Sequence, residues 1–442
     1  MATLDSLSSE IIDLIIKHLG LGGYAAISRT WQCAVERYTF RHIAAYSDEL
    51  PRLQSLVGQD PRRLSLLQTL SYKIDLPLHS LNRRRNFERR REHQANLVAF
   101  RQEVVCLWTE LAAWQDEDSL APSQDLNLVL VAEVPLYRGR DDLPWWEILG
   151  PGLGCECWAH PEHSLSLDNS VDGPPSLPVL PRVTNLIIAR SGRRIHPTAI
   201  QEILVSLPNL RFLDLTIWPV KPKNKAIRAE MRDHLARALD APSLEKLEIL
   251  RITMDEWTPC NHNFMITDIQ DPNYPDGDHL NRAVCKLVQT SLRELHLLGE
   301  YMISPVLWGL DGENPDRETN LFPHLQKLEV RFPIITYDGR WYYTGDPRCG
   351  MDDQDFEDED DDDDGFGGGQ TPSSTSSDTD SCSSTYLNGV NPQAAWRTSP
   401  DPAMFDPLIK GLVSAAARMP ELVSLRASTT NLYERHGSSS EL

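Results

Sequence analysis

From residue 180 onward one arrangement of apolar and polar positions keeps returning: an apolar residue, two free positions, an apolar residue, one free position, an apolar residue. It occurs as Val183, Leu186 and Ile188, then as Leu210, Leu213 and Leu215, then as Leu244, Leu247 and Ile249. It returns as Leu292, Leu295 and Leu297, as Leu325, Leu328 and Val330, and in part as Leu422 and Leu425. Alternation at its end is the period of a strand with one buried face. Helical patterns lie between the copies: TAIQEILVSL, NKAIRAEMRDHLARAL, HLNRAVCKLVQ and PLIKGLVSAAARM. Strands alternating with helices predict an α/β fold with parallel strands on one side and helices on the other. The middle positions 186, 213, 247, 295, 328 and 425 are 27, 34, 48, 33 and 97 residues apart. Excising residues 339–402 from the last gap leaves roughly 33, which predicts one stack of strand–helix units with an insertion near its end.

A second pattern stands at the N-terminus, LDSLSSEIIDLIIKHL. On a helical wheel Leu7, Ile11, Ile12, Leu14, Ile15, Ile16 and Leu19 cover an arc of roughly 200°, twice a usual core-facing stripe. Ser8 or Ser9 suits the cap, Glu10 suits the positive end of the dipole, and Gly20, Gly22 and Gly23 stop the helix. A second helical stretch, YAAISRTWQCAVERYTFRHI, places Ile27, Trp31 and Val35 four apart. One apolar face of the first helix packs on this stretch. So small a module cannot bury the other face alone, which leaves the rest of the chain or a partner protein to cover it. Further on, Leu97, Phe100, Val104, Leu107, Leu111 and Trp114 line one face of a long helix within 83–115, LNLVLVAEV at 126–134 reads as a strand, and 135–180 reads as a long loop.

Charge changes the picture in one place. Of a net charge of -21 over 442 residues, about half comes from 352–364, DDQDFEDEDDDDD, which holds eleven acids. That run and the Gly/Ser-rich stretch after it predict a disordered insertion over 339–402. Within it Thr375 and Ser377 each precede an Asp by three residues, a pattern for an acid-directed kinase or simply an unmodified linker. No apolar run reaches the length of a membrane span, and MATLDSLSSE lacks the features of a secretory signal. Eight scattered cysteines predict reduced thiols and a cytoplasmic or nuclear protein.

Candidate chemistry is sparse. Cys155, Cys157, His160 and His163 supply zinc-ligand types, but C-x-C-x-x-H-x-x-H matches no common zinc spacing, and ordinary loop residues are expected instead. Arg83, Arg84, Arg85, Arg89, Arg90 and Arg91 suit a nuclear signal or phosphate patch, but the solvated start of the long helix, with Glu88 and Glu92 pairing locally, is the favoured reading. No phosphate-cradling loop, nucleophile elbow or metal-hydrolase helix is present. The expectation is a non-enzyme with no cofactor and no metal.

Residues 4–43 resemble an F-box. The residues that carry the resemblance are Leu7, Glu10, Ile11, Ile15, Leu19, Ile27, Ser28, Arg29, Trp31 and Phe40, with Ser8 where that family usually has Pro. The strand template resembles divergent leucine-rich repeats, and the whole arrangement is similar to F-box proteins of filamentous fungi. The resemblance implies a receptor subunit of an SCF-type ubiquitin ligase. In it Leu7, Glu10, Ile11, Leu14, Ile15, Leu19 and Trp31 would bind a Skp-type adaptor and, through it, a cullin. It also implies a protein target on the strand side, at outward polar positions Arg211, Asp214, Glu248, Arg293, His296 and Glu329. The organisation expected is a helical module at 1–46, linker helices, the long helix and a first strand at 47–135, repeats at 136–338, the insertion at 339–402, and a terminal repeat and tail at 403–442. The competing reading is a nuclear scaffold or nucleic-acid binder using the Arg83–Arg91 cluster.

Overall fold

The computed structural model describes residues 9–19, 26–77, 89–115, 125–133, 163–168, 176–189, 193–217, 225–254, 262–263, 278–299, 303–308, 322–332, 335–336, 340–347 and 396–429. Its centre is one parallel sheet of nine strands whose order in space is their order along the chain. The strands are β1 (His42–Tyr46), β2 (Thr69–Asp75), β3 (Leu126–Glu133), β4 (Val183–Ile188), β5 (Phe212–Ile217), β6 (Ile249–Met254), β7 (Glu294–Gly299), β8 (Lys327–Phe332) and, completing the sheet, β11 (Ser424–Thr429). Between the last two, β9 (Tyr343–Thr344) and β10 (Ser399–Pro400) pair antiparallel. Two helices, α1 (Ser9–Leu19) and α2 (Arg29–Thr39), precede the sheet. The longer helices among the strands are α3 (Arg90–Ala113), α4 (Pro197–Val205), α5 (Lys225–Leu239), α6 (His279–Val288) and α7 (Pro402–Ala416).

Register shows why the apolar template recurs. Ile43, Leu70, Leu128, Leu186, Leu213, Leu250, Leu295, Leu328 and Leu425 stand side by side across all nine strands. Two residues on, Ala45, Tyr72, Leu130, Ile188, Leu215, Ile252, Leu297, Val330 and Ala427 form the next row. From β2 to β8 these rows are buried, in the same core as Phe100, Val104 and Leu107 of α3, Ile200 and Ile203 of α4, Leu235 of α5 and Val284 of α6. A strand with one apolar face and a helix with one apolar stripe cannot cover themselves; side by side they form a continuous two-layer core. α4 packs on α5 and α5 on α6.

Caps fix where these helices begin. Asp278 accepts from the backbone N–H of Leu280 and Asn281, and Asp401 from that of Ala403. Pro197 and Pro402 occupy first-turn positions, where a missing N–H costs nothing. Asp278 is itself buried, and Arg232 of α5 reaches both its carboxylate oxygens at 2.7 Å. The cap of α6 is thereby bonded to the preceding helix.

The observed architecture moves several expected boundaries. Within 47–135 the long helix and the strand β3 lie where expected, but β3 is not the first strand: β2 precedes it, and β1, inside the stretch expected to be all helical, is the first strand of the sheet. The third template copy is displaced by three residues, because Leu250 rather than Leu247 stands opposite Leu213 and Leu295. Both ends of the expected insertion are ordered. Tyr343 and Thr344 pair with Pro400 and Ser399, Arg397 Nη1 donates to Tyr343 O at 3.1 Å, and Gly345 lies so close to Trp396 O that a Cβ would overlap it. Residues 348–395, with the acidic run and the Thr375–Ser377 segment, lie outside the described residues. So does most of the expected loop at 135–180.

Candidate functional site

Two surfaces carry the residues singled out by the sequence. The first is α1. Its Ile12 and Ile16 are fully buried against Trp31, Ala34 and Val35 of α2, in a small core separate from that of the sheet. Ile15 packs partly against this core. Ile11 and Leu14 face water at 46% and 57% exposure, and Ile27, ahead of α2, is 41% exposed. The helix is thus split: one edge of its broad apolar arc is core and the other is bare. Trp31, expected to touch an adaptor, is only 1% exposed and instead binds the two helices together. Leu7 lies outside the described residues, and Glu10 and Leu19 are described by backbone alone.

Polar contacts tie this pair to the sheet. Glu36 of α2 is buried beside two arginines of the short helix Pro61–Leu64, with Arg62 at 3.3 Å and Arg63 at 3.2 Å. Arg63 also stacks its guanidinium over Phe40 at 4.9 Å.

The second surface is the sheet face opposite the helices. One row across it runs Ser71, Val129, Ile187, Asp214, Arg251, His296, Glu329 and Arg426. The neighbouring row runs Thr69, Asn127, Asn185, Phe212, Ile249, Glu294, Lys327 and Ser424. Cross-strand neighbours on one face interact directly, and here several of them carry opposite charges. His296 pairs through Nδ1 with Glu329 at 2.9 Å and through Nε2 with Glu294 at 3.4 Å. Lys327 donates to Glu294 at 2.7 Å, and Arg426 stands 3.6 Å from Glu329. The bond from Lys327 holds the Glu294 carboxyl below the usual range. Burial pushes Asp214 up, opposed by Arg251 and His296. Toward β2, Asn185 donates to Asn127 and Asn127 to Thr69.

The six expected target-binding positions divide on this face. Asp214, His296 and Glu329 share the charged row. Arg211, Glu248 and Arg293 instead sit one residue before their strands, linked by backbone bonds from Glu248 N to Arg211 O and from Arg293 N to Glu248 O. Arg251, not singled out by the sequence, joins the charged row once the third template copy is shifted.

The remaining candidates are placed as follows. Of the four zinc-ligand types only His163 is described, stacked on His93 of α3 at 4.1 Å. Arg89, Arg90 and Arg91 are exposed at the start of α3, while Arg83, Arg84 and Arg85 lie outside the described residues. Cys33 and Cys106 are free thiols. Among the described residues no helix is long and apolar enough to cross a membrane.

A third grouping went unnoticed in the sequence: His196 with Glu230 and His234. The spacing of Glu230 and His234, four apart on a predicted helix, was its one sequence signal. His196 joins them only through the packing of α4 on α5. Burial, with His234 nearby, pushes the His196 imidazole below its usual range.

No protein-family model matches this chain, and no curated protein matches it.

Proposed function

We propose that this chain is the substrate-recognition subunit of an SCF-type ubiquitin ligase. In this reading α1 and α2 are an F-box-like helical module that binds a Skp-type adaptor and, through it, a cullin. The sheet and its helices act as an irregular, leucine-rich-repeat-like solenoid that holds a protein target. The observation that carries the reading is the division of α1 into a buried edge, Ile12 and Ile16, and a bare edge, Ile11 and Leu14. Leaving such side chains in water forgoes about 1.5–3 kcal/mol each, which a partner's apolar surface would recover. The polar sheet face supports the second half of the reading. Its charges are fixed in register by the backbone, so a target would meet a preformed pattern rather than one ordered on binding. The chain would do no chemistry of its own; holding a target beside the ubiquitin-carrying enzyme makes a rare encounter effectively intramolecular.

The test is affinity purification of the full chain with mass spectrometry, repeated on the Ile11→Asp/Leu14→Asp double variant. Stoichiometric adaptor and cullin with the natural sequence, lost in a double variant of unchanged melting temperature, is the expected result. Failure of the natural sequence to retain any adaptor overturns the reading.

A further inference from the structure

We propose that His196, Glu230 and His234 form a binding site for a single divalent transition-metal ion of the zinc type. Glu230 and His234 are one helical turn apart on α5 and share a face. His196 is the N-cap of α4, which packs on α5. One ligand atom from each of the three lies within 4.8 Å of the other two. Glu230 Oε1 is 3.6 Å from His234 Nε2, and the two imidazoles meet edge-on with centroids 5.2 Å apart. Tetrahedral coordination at about 2.0–2.2 Å needs ligand atoms roughly 3.4 Å apart. The set stands within about 1.4 Å of that spacing, a contraction the ion would have to draw from the side chains.

Hydrogen bonding does not account for the grouping. The Glu230–His234 separation of 3.6 Å exceeds hydrogen-bond range, and His234 Nδ1 is buried with no hydrogen-bond partner among the described residues. Two imidazoles and one carboxylate favour zinc, cobalt or nickel over magnesium or calcium, which take all-oxygen sets. Glu230 is 59% exposed, so an ion has a path from solvent and a coordination position left for water.

The surroundings of His196 also suit a ligand. Its Nδ1 is engaged with Thr198, 2.7 Å from the hydroxyl and 3.2 Å from the backbone nitrogen, which leaves Nε2 for the ion. With a metal on Nε2 the ring proton moves to Nδ1, which gives up the bond it accepts from Thr198 N and donates instead to Thr198 Oγ1, the outer bond that orients most metal-bound histidines. Thr198 is then a positioning residue, and the ion ties the cap of α4 to the face of α5.

The experiment titrates the chelator-stripped full chain with cobalt, then displaces the cobalt with zinc. Expected are one equivalent bound, a visible absorption typical of tetrahedral cobalt, and no thiolate charge-transfer band. His234→Gln and His196→Asn should abolish binding, the latter keeping a good cap. Glu230→Gln, on an exposed side chain, should weaken it at least tenfold without changing the metal-free melting temperature. Thr198→Val should weaken it about tenfold or more. Absence of saturable binding overturns the proposal, as does binding unchanged in Glu230→Gln and His196→Asn. A thiolate band lost in Cys155→Ser/Cys157→Ser would move the ion to the cysteines and overturn it equally.

Discussion

Trp108 of α3 donates its indole N–H to Ser206 Oγ at 2.7 Å, and both residues are buried. The bond joins the first part of the chain to the turn that ends α4. Ser206 in turn donates to Ile203 O at 2.6 Å. Ser206→Ala strands the indole donor in a dry interior, and its expected cost is about 1–3 kcal/mol. Urea unfolding followed by Trp fluorescence checks this. A loss well under that range would mean that water or another acceptor replaces the hydroxyl.

Acid should weaken the fold near the insertion neck through His262. Burial first, and the Arg397 charge second, lower its pKa from 6.5 to about 4. Its Nδ1 accepts the Arg397 backbone N–H at 2.7 Å, and the rings of Trp341 and Trp396 lie against it. Between those two pKa values the unfolded chain takes up a proton that the folded chain refuses. The neutral ring's contribution is therefore complete above about pH 6.5 and falls as pH drops toward 4, by up to about 3 kcal/mol. Stability measured at pH 7.5 and pH 5 should fall less in His262→Gln than in the natural sequence; equal losses would rule the histidine out.

Gly299 ends β7 with φ of 70°, and a Cβ there would overlap Met254 O on the adjacent strand. Backbone cannot yield as a side-chain tip can. Gly299→Ala is expected to cost about 1–3 kcal/mol, read as a lowered denaturation midpoint at unchanged slope.

Removing the N-terminal helices without harm requires the right cut. Deletion through residue 46 takes away β1, which pairs with β2 along its whole length. Deletion through residue 41 spares β1 but exposes what Glu36 and Phe40 cover. The shorter deletion is expected to keep the sheet domain folded with loss of adaptor capture, and the longer to lower the melting temperature. Identical melting curves for the two would show that β1 contributes nothing.

Much of the sheet was legible because its period is strict. Leu213 and Leu215, Leu295 and Leu297, and Leu328 and Val330 each alternate with polar residues, and these pairs are buried strand positions. The third copy misled because SLEKLEILRI fits the template in two frames. Only cross-strand pairing selects the frame with Leu250 and Ile252 inward. β2 carries the same signal in Leu70, Tyr72 and Ile74, which alternate with Ser71 and Lys73 and are buried, although no helical repeat unit precedes it to mark it as one of the series. At α1 the breadth of the apolar arc was plain, but which edge faced inward depended on where Trp31 packs, and that is a tertiary fact. The His196 grouping was out of reach for the same reason.

A sheet whose strands follow chain order has a bearing on synthesis. As the chain leaves the ribosome, each of β2 to β8 meets a partner that has already emerged, and none waits on a strand still to be made. Only β11 has a long delay, since residues 333–423 come between it and β8. During that interval the backbone edge of β8 is the growing end of the structure. The antiparallel pairing of β9 with β10 falls inside that interval, and until β11 arrives the unpaired edge is open to other nascent chains.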